Sequence, residues 1–291
     1  YQIIRQHTDR FIHRYIHQYT QREWTAQIAS HFDTIVVGSD QVWRPLYYQP
    51  IEEAFLSFLG DAKIKRVAYA ASFGVDHCEY TEEQRKNCSS LLKKFDAVSV
   101  RESSGVQLCQ EYFDTKAVQV LDPTLLLSAD DYKVLIKKSK TQLSKGNLLV
   151  YLLDRTKEKE DFVERIAQAK GLTPFWMNSD IDDETLPLEQ RIKMPVEQWL
   201  RSFDDAEFVL TDSFHGCVFS IIFRKQFLAV GNKKRGLERF NSLLNLFSIK
   251  DRLISSPLSN YDNITEINYA AIDQKLNGYR LSAMDYLKKT F

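Results

Sequence analysis

The chain has 291 residues, 44% hydrophobic and 27% charged, which suits a folded protein with core enough for two domains. Lys plus Arg and Asp plus Glu both number 39, so the formal charge is zero and the chain lacks the overall positive field that non-specific nucleic-acid binding needs. Cys78, Cys88, Cys109 and Cys217 form no CxxC pair, which leaves no thiolate zinc site or disulfide framework and suits a reducing, cytoplasmic setting. No stretch approaches the run of about 18 apolar residues a membrane span requires, and no signal peptide is recognisable.

In chain order, Ile4, Phe11, Ile12, Tyr15, Ile16 and Tyr19 recur at helical spacing, so the sequence opens on an amphipathic helix. A βαβα chain rarely starts on its second element, and a first βα unit upstream of Tyr1 is therefore expected. Strand-like apolar runs follow at 34–38, 66–71, 96–100, 117–121, 147–153, 173–176, 207–211 and 226–230. Helical patterns lie near 81–94, 103–113, 129–138, 157–170, 195–202, 214–223, 238–247 and 267–289. This alternation predicts βαβ units and parallel sheets, and the two-sided apolarity of the strands predicts helices on both faces. The stretch "KKSKTQLSKGN" (Lys137–Asn147) has a linker's composition. The expected organisation is an N-terminal α/β domain over 1–135, a second α/β domain over 147–255, and a C-terminal segment, 256–291, whose helix packs back on the first domain.

In open α/β sheets ligands bind beyond the carboxyl ends of the strands. The run Ile35–Val37 ends in Gly38, Ser39 and Asp40; "AYAASFG" ends in Ser72 and Gly74; "AVSVRESSG" runs directly into Arg101. "FVLTDSFHGCVFSIIF" takes a strand into Asp212 and Ser213, then His215 and Gly216, then an apolar helix. Asp212 or Ser213 can cap that helix, its N–H groups can hold an anion, and His215 can exchange a proton near neutral pH. Taken singly, Asp40 reads equally as a cap and Arg101–Glu102 as a surface ion pair. Four such strand ends together mark a cleft.

Other motifs carry less. His13 and His17 stand four apart without the Glu of HExxH or a third ligand, and "DIDDET" (Asp180–Thr185) lacks a calcium loop's spacing, so no metal site is expected. "GNKKRGLERF" (Gly231–Phe240) offers Arg235 and Arg239 as anion contacts, or is a solvated loop. There is no GxGxxG, Walker loop or GxSxG. Trp43 and Trp176 could stack on sugar rings or be buried.

The motifs "VVGSDQVWRP", "YAASFG", "VSVRESSG", "VLDPTLLL" and "FVLTDSFHGCVFSIIF", in this order and at these separations, resemble the polysaccharide pyruvyl transferase family. The resemblance runs from about residue 20 to about residue 250. It implies two Rossmann-like parallel-sheet domains in tandem, GT-B-like, with the active site between domains. It implies an enzyme that moves a pyruvyl group from phosphoenolpyruvate, as co-substrate and without a further cofactor, onto hydroxyls of a lipid-linked or nucleotide-linked sugar. By the same resemblance Arg101 falls on the arginine that holds the donor, His215 on the histidine of the second-domain motif and Asp40 on the acidic position of the first glycine-bearing loop, which suits His215 and Asp40 for proton exchange. The strand-end reading itself adds Ser72, Ser213 and Gly216 as donor contacts and Ser39, Arg235 and Arg239 as candidate anion or acceptor contacts. Two departures stand out. Ser213 occupies a position where many members have arginine, and the family's first strand and Asn/Gly-containing loop are not in the sequence. A GT-B nucleotide-sugar glycosyltransferase and a non-catalytic carbohydrate-binding relative are the alternative readings. Peripheral membrane association through a lipid-linked acceptor is compatible with either activity.

Overall fold

The computed structural model describes residues 16–177, 194–231, 236–258 and 265–291. The opening helical pattern through Tyr15, His13, the acidic run 180–185 and Arg235 lie outside the described residues, while Ile16 and Tyr19, at the end of that pattern, are not helical. What is described is mixed α/β with two sheets, every strand pairing parallel. The chain divides into two compact units, each built from separate stretches of sequence.

The first unit holds residues 19–126, 236–248 and 270–291. Its sheet has the order β1 (Thr34–Val37), β2 (Lys65–Ala71), β3 (Ala97–Val100), β4 (Val118–Gln119), with helices α1 (Glu82–Leu92) and α2 (Ser103–Phe113) as crossovers. Thr81 and Gln84 form a reciprocal cap that starts α1. The core is aromatic. Trp43 is fully buried, stacks on Phe55 at 4.9 Å between ring centroids, and donates from Nε1 to Ala54 O at 3.1 Å. Phe73 and Phe113 continue the same cluster, so Trp43 is core and unavailable to a sugar. Two late elements, α7 (Glu238–Phe247) and most of α8 (Tyr269–Thr290), belong to this unit. Tyr286 and Leu287 of α8 pack on Tyr69, Ala70 and Val120, and Arg280 Nε donates to Leu125 O at 2.7 Å.

The second unit holds residues 16–18, 127–177, 194–231, 249–258 and 265–269 among those described. It contains α3 (Ala129–Lys137), β5 (Leu148–Tyr151), α4 (Lys157–Lys170), β6 (Pro174–Trp176), α5 (Val196–Asp205), β7 (Phe208–Thr211), α6 (Phe214–Ile222), β8 (Gln226–Val230) and β9 (Leu253–Ile254). The sheet order is β6-β5-β7-β8-β9, so chain order reverses beside β5. In open α/β sheets such a reversal is where ligands commonly bind, at the strands' carboxyl ends. Strands β5, β7 and β8 are buried along nearly their whole length, with Phe162, Val163 and Ile166 of α4 packed against them.

Two expectations about organisation change. The break falls after Leu126, not in the lysine-rich stretch, because α3 packs on α5 and the residues after it are tied down. Ser139 Oγ donates to Glu197 at 2.8 Å, Gln142 N to Gln198 at 2.8 Å and Ser144 N to Asp205 at 2.8 Å. The segment 236–248 leaves the second unit for the first, through Ser242 Oγ, which accepts from Gln119 at 2.7 Å and from Ser103 N at 3.2 Å.

Candidate functional site

The carboxyl end of the first sheet gathers charge. Beyond β1 the backbone passes so close to β2 that a Cβ on Gly38 would lie 2.0 Å from Tyr69 O, which only glycine tolerates. The register of β2 against β3 slips between Ala68 and Ala71, and Ala70 takes a left-handed φ of 53°. Ser99 Oγ serves this bulge, accepting from Ala70 N at 3.2 Å and donating to Ala68 O at 2.9 Å. Bulges of this kind redirect a strand end, here into Ser72, Phe73 and Gly74.

Arg101 emerges directly from β3. Its Nη1 donates to Asp122 at 2.7 Å, both side chains being almost fully buried. Asp122 is itself fixed by Thr124 N at 3.0 Å and Thr124 Oγ1 at 2.6 Å. Arg101 Nη2 reaches Asp40 Oδ1 at 3.3 Å, and Nη1 of Arg239, from the first turn of α7, lies 3.5 Å from the same oxygen. Burial, and next the nearby Arg101 charge, press the Arg239 guanidinium down to about 10, with Asp40 and Glu102 opposing.

Glu102 completes the cluster. It is fully buried, and its Oε1 accepts from Ser72 Oγ at 3.0 Å, Phe73 N at 2.7 Å and Gly74 N at 2.9 Å. Its Oε2 is buried with no hydrogen-bond partner among the described residues, as is Gln41 Oε1. Glu102 is thus an internal brace for the β2 loop and no surface ion pair.

The carboxyl end of the second sheet is closed on itself. Asp212, fully buried after β7, accepts from Leu153 N at 2.5 Å, Asp154 N at 3.1 Å and Lys159 Nζ at 2.5 Å. It therefore ties the β7 end to the β5 end across the reversal in strand order. Ser213 caps α6 by accepting from Gly216 N at 3.4 Å, and Thr211 Oγ1 donates to Tyr151 O at 2.7 Å. A Cβ on Gly216 would meet Thr211 Oγ1 at 2.1 Å, so glycine lets α6 seat against its strand. His215, the second residue of α6, is partly exposed and lies edge-on to Phe214 at 5.3 Å between ring centroids.

The family model for polysaccharide pyruvyl transferase matches residues 3–234. The chain belongs to that family. A search of curated proteins returned no match. Membership implies a transferase that acts on a polysaccharide with a pyruvyl group.

In this pyruvyl transferase family member, Asp40, Arg101 and Arg239 are brought together at one strand-end cluster. Ser72 reaches the cluster by way of Glu102, its own side chain fully buried. Ser39 is partly exposed beside Asp40. Ser213, His215 and Gly216 share the α6 start. Sequence reasoning passed over Asp122, although "VLDPTLLL" contains it, and over the Lys159–Asp212 pair, and it offered Glu102 only as half of a surface ion pair. A cavity of about 460 Å³ lies along the edge strand β1, lined by apolar groups such as Trp24, Ile28, Val36 and Phe58, and it meets the strand-end loop at Gly38 and Val42. Its lining has none of the charge needed to hold an anionic donor. Among the described residues no three His, Cys, Asp or Glu side chains are grouped to hold a metal ion, and no helix is long and apolar enough to cross a membrane.

Proposed function

We propose that this protein transfers the pyruvyl group of phosphoenolpyruvate to two hydroxyls of a lipid-linked or nucleotide-linked sugar, forming a cyclic ketal, in exopolysaccharide or capsule assembly in the cytoplasm. The GT-B-like layout implied by the family resemblance is part of this proposal. The observation that carries it is the convergence of two buried guanidiniums, Arg101 and Arg239, on one exposed carboxylate at a parallel sheet's carboxyl end, in a chain of this family.

Phosphoenolpyruvate carries a carboxylate and a phosphate on an enol carbon. Arg101 and Arg239 hold its anionic groups, Arg101 with a fork already oriented by Asp122. His215 gives a proton to the methylene, and the enol carbon becomes electrophilic. Asp40 accepts the proton of the first sugar hydroxyl as its oxygen bonds to that carbon. The carbon–oxygen bond to phosphate then breaks, inorganic phosphate leaves, and the second hydroxyl loses its proton and closes the ring. The balance is one phosphoenolpyruvate and one diol giving one ketal and one phosphate. Asp40 and His215 could exchange these roles without changing that balance.

The test is phosphate release from phosphoenolpyruvate against a panel of lipid-linked and nucleotide-linked sugars, with the ketal methyl group followed by NMR. Acceptor-dependent phosphate release is the expected result, and Arg101→Lys raises KM for phosphoenolpyruvate roughly ten- to hundredfold by losing the fork. Thermal stabilisation by nucleotide sugars but not by phosphoenolpyruvate would count against the reading and favour a glycosyltransferase.

A further inference from the structure

The contact of Asp40 with the two arginines is lopsided. Asp40's side chain is 68% exposed, whereas those of Arg101 and Arg239 are 3% and 9% exposed. The guanidiniums form the wall and the carboxylate is the part in solvent. The distances, 3.3 Å and 3.5 Å, exceed the 2.7 Å by which Arg101 holds Asp122. Charge-assisted hydrogen bonds at their optimum are about 2.7–2.9 Å. Arg101 is held back from following a departing Asp40, because Asp122, itself fixed by Thr124, accepts from its Nη1.

The positions of the arginines in the chain point the same way. Arg239 is the second residue of α7, and Arg101 stands one residue before Glu102, the residue that precedes α2. A cation in the first turn of a helix opposes the helix dipole, so its own helix does not stabilise it there. A helix N-terminus and a guanidinium together favour an anion. Glu102 commits its Oε1 to Ser72, Phe73 and Gly74 and, among the described residues, makes no ion pair with either arginine. Burial, and next the Arg101 charge, hold the Arg239 guanidinium below its ordinary value, as expected of two cations enclosed side by side.

We propose that Arg101 and Arg239 form an anion subsite of phosphate class, that Asp40 is its resident occupant, and that an incoming phosphate group displaces the Asp40 carboxylate. This rests on the donor-binding reading above and deepens it. Asp40 is held by the arginines until the anion arrives, and only then is it free to take a proton from a sugar hydroxyl. Donor therefore binds before acceptor. One carboxylate serves first as placeholder and then as base.

Inorganic phosphate is the probe, titrated calorimetrically into wild type, Asp40→Asn, Arg239→Gln and the double variant, with thermal midpoints recorded for each. Asp40→Asn keeps shape and removes the competitor, so it binds phosphate about tenfold more tightly, within the ordinary range of coupling between bound groups. In the Arg239→Gln background the same change gains less than about twofold. An equal gain in both backgrounds, or none, overturns the proposal, because a distant field would act whether or not Arg239 is present. Should Arg239→Gln not fold, the titration of Asp40→Asn in roughly 1 M salt decides, where the screening length is about 3 Å. A gain that persists supports direct displacement, and one that vanishes refutes it. No sugar and no turnover enter this measurement, so it stands even if phosphoenolpyruvate proves not to be the substrate.

Discussion

The two sheets end differently. At the first, Arg101 and Arg239 meet a carboxylate that is mostly in solvent at more than 3 Å. At the second, Asp212 is wholly buried and meets Lys159 and two backbone N–H groups at 2.5 to 3.1 Å. The same parallel architecture thus yields one end with a carboxylate mostly in solvent beside two buried guanidiniums and one whose carboxylate is wholly enclosed by its partners.

The largest effect expected tests whether the closed end carries chemistry through the residue its latch does not use. His215→Ala should lower turnover ~10²- to 10⁴-fold, the usual weight of one general acid or base. Its side chain is partly exposed and sits in the first turn of α6, so the thermal midpoint should not move. Steady-state phosphate release beside a melting curve reads both. A variant that melts early yet turns over normally would reduce the second sheet's end to scaffold.

The next prediction addresses the latch itself. Asp212→Ala leaves Lys159 as a buried cation and two backbone donors unpaired, with an expected loss of about 3–5 kcal/mol. Urea unfolding should show a lower midpoint with an unchanged slope. Little loss of stability together with a loss of turnover would move Asp212 from the structural to the reacting groups, and the contrast between the two ends would fail.

Much of this contrast was legible in part. The strands are short apolar runs at parallel-sheet spacing, so β1 to β8 stand where the pattern put them, within a residue or two for most and shorter at their ends for β4 and β5. The two-residue β9 has no pattern long enough to read. Arg101 was legible because it follows an apolar run directly, and Asp40 because it stands in the short polar stretch that ends one. Glu102 was not, since its partners Ser72, Phe73 and Gly74 come from another strand's end and nothing local distinguishes it from a solvated carboxylate. Asp212 finds Lys159 at a separation of 53 residues, and Arg239 finds Asp40 by crossing back to the first unit late in the chain. Pattern fixes elements, whereas pairing depends on which loops the topology brings side by side. The domain break was misread for a related reason. Lysine-rich composition suggests a linker, but Ser139, Gln142 and Ser144 find partners on α5.

The smallest predicted effect uses the thiols to watch each end separately. Burial pushes Cys88 and Cys109 in the first unit up to about 12, and Cys217 on α6 well above its ordinary value. The thiolate is the reactive form, so at pH 8 these groups stay protonated as well as covered, and only partly exposed Cys78 should react promptly with a disulfide reagent. The stability gained by keeping Cys88 and Cys109 neutral is intact below about 9 and is lost as pH rises through about 12, so labelling at pH 8 does not itself loosen the fold. Slow labelling of the buried three then reports local opening. With peptide mapping, Asp212→Ala should speed modification of Cys217 and leave Cys88 and Cys109 at the wild-type rate, because the latch braces only the sheet on which α6 sits. Equal acceleration at all three would mean that the units open together and that the latch serves the whole chain.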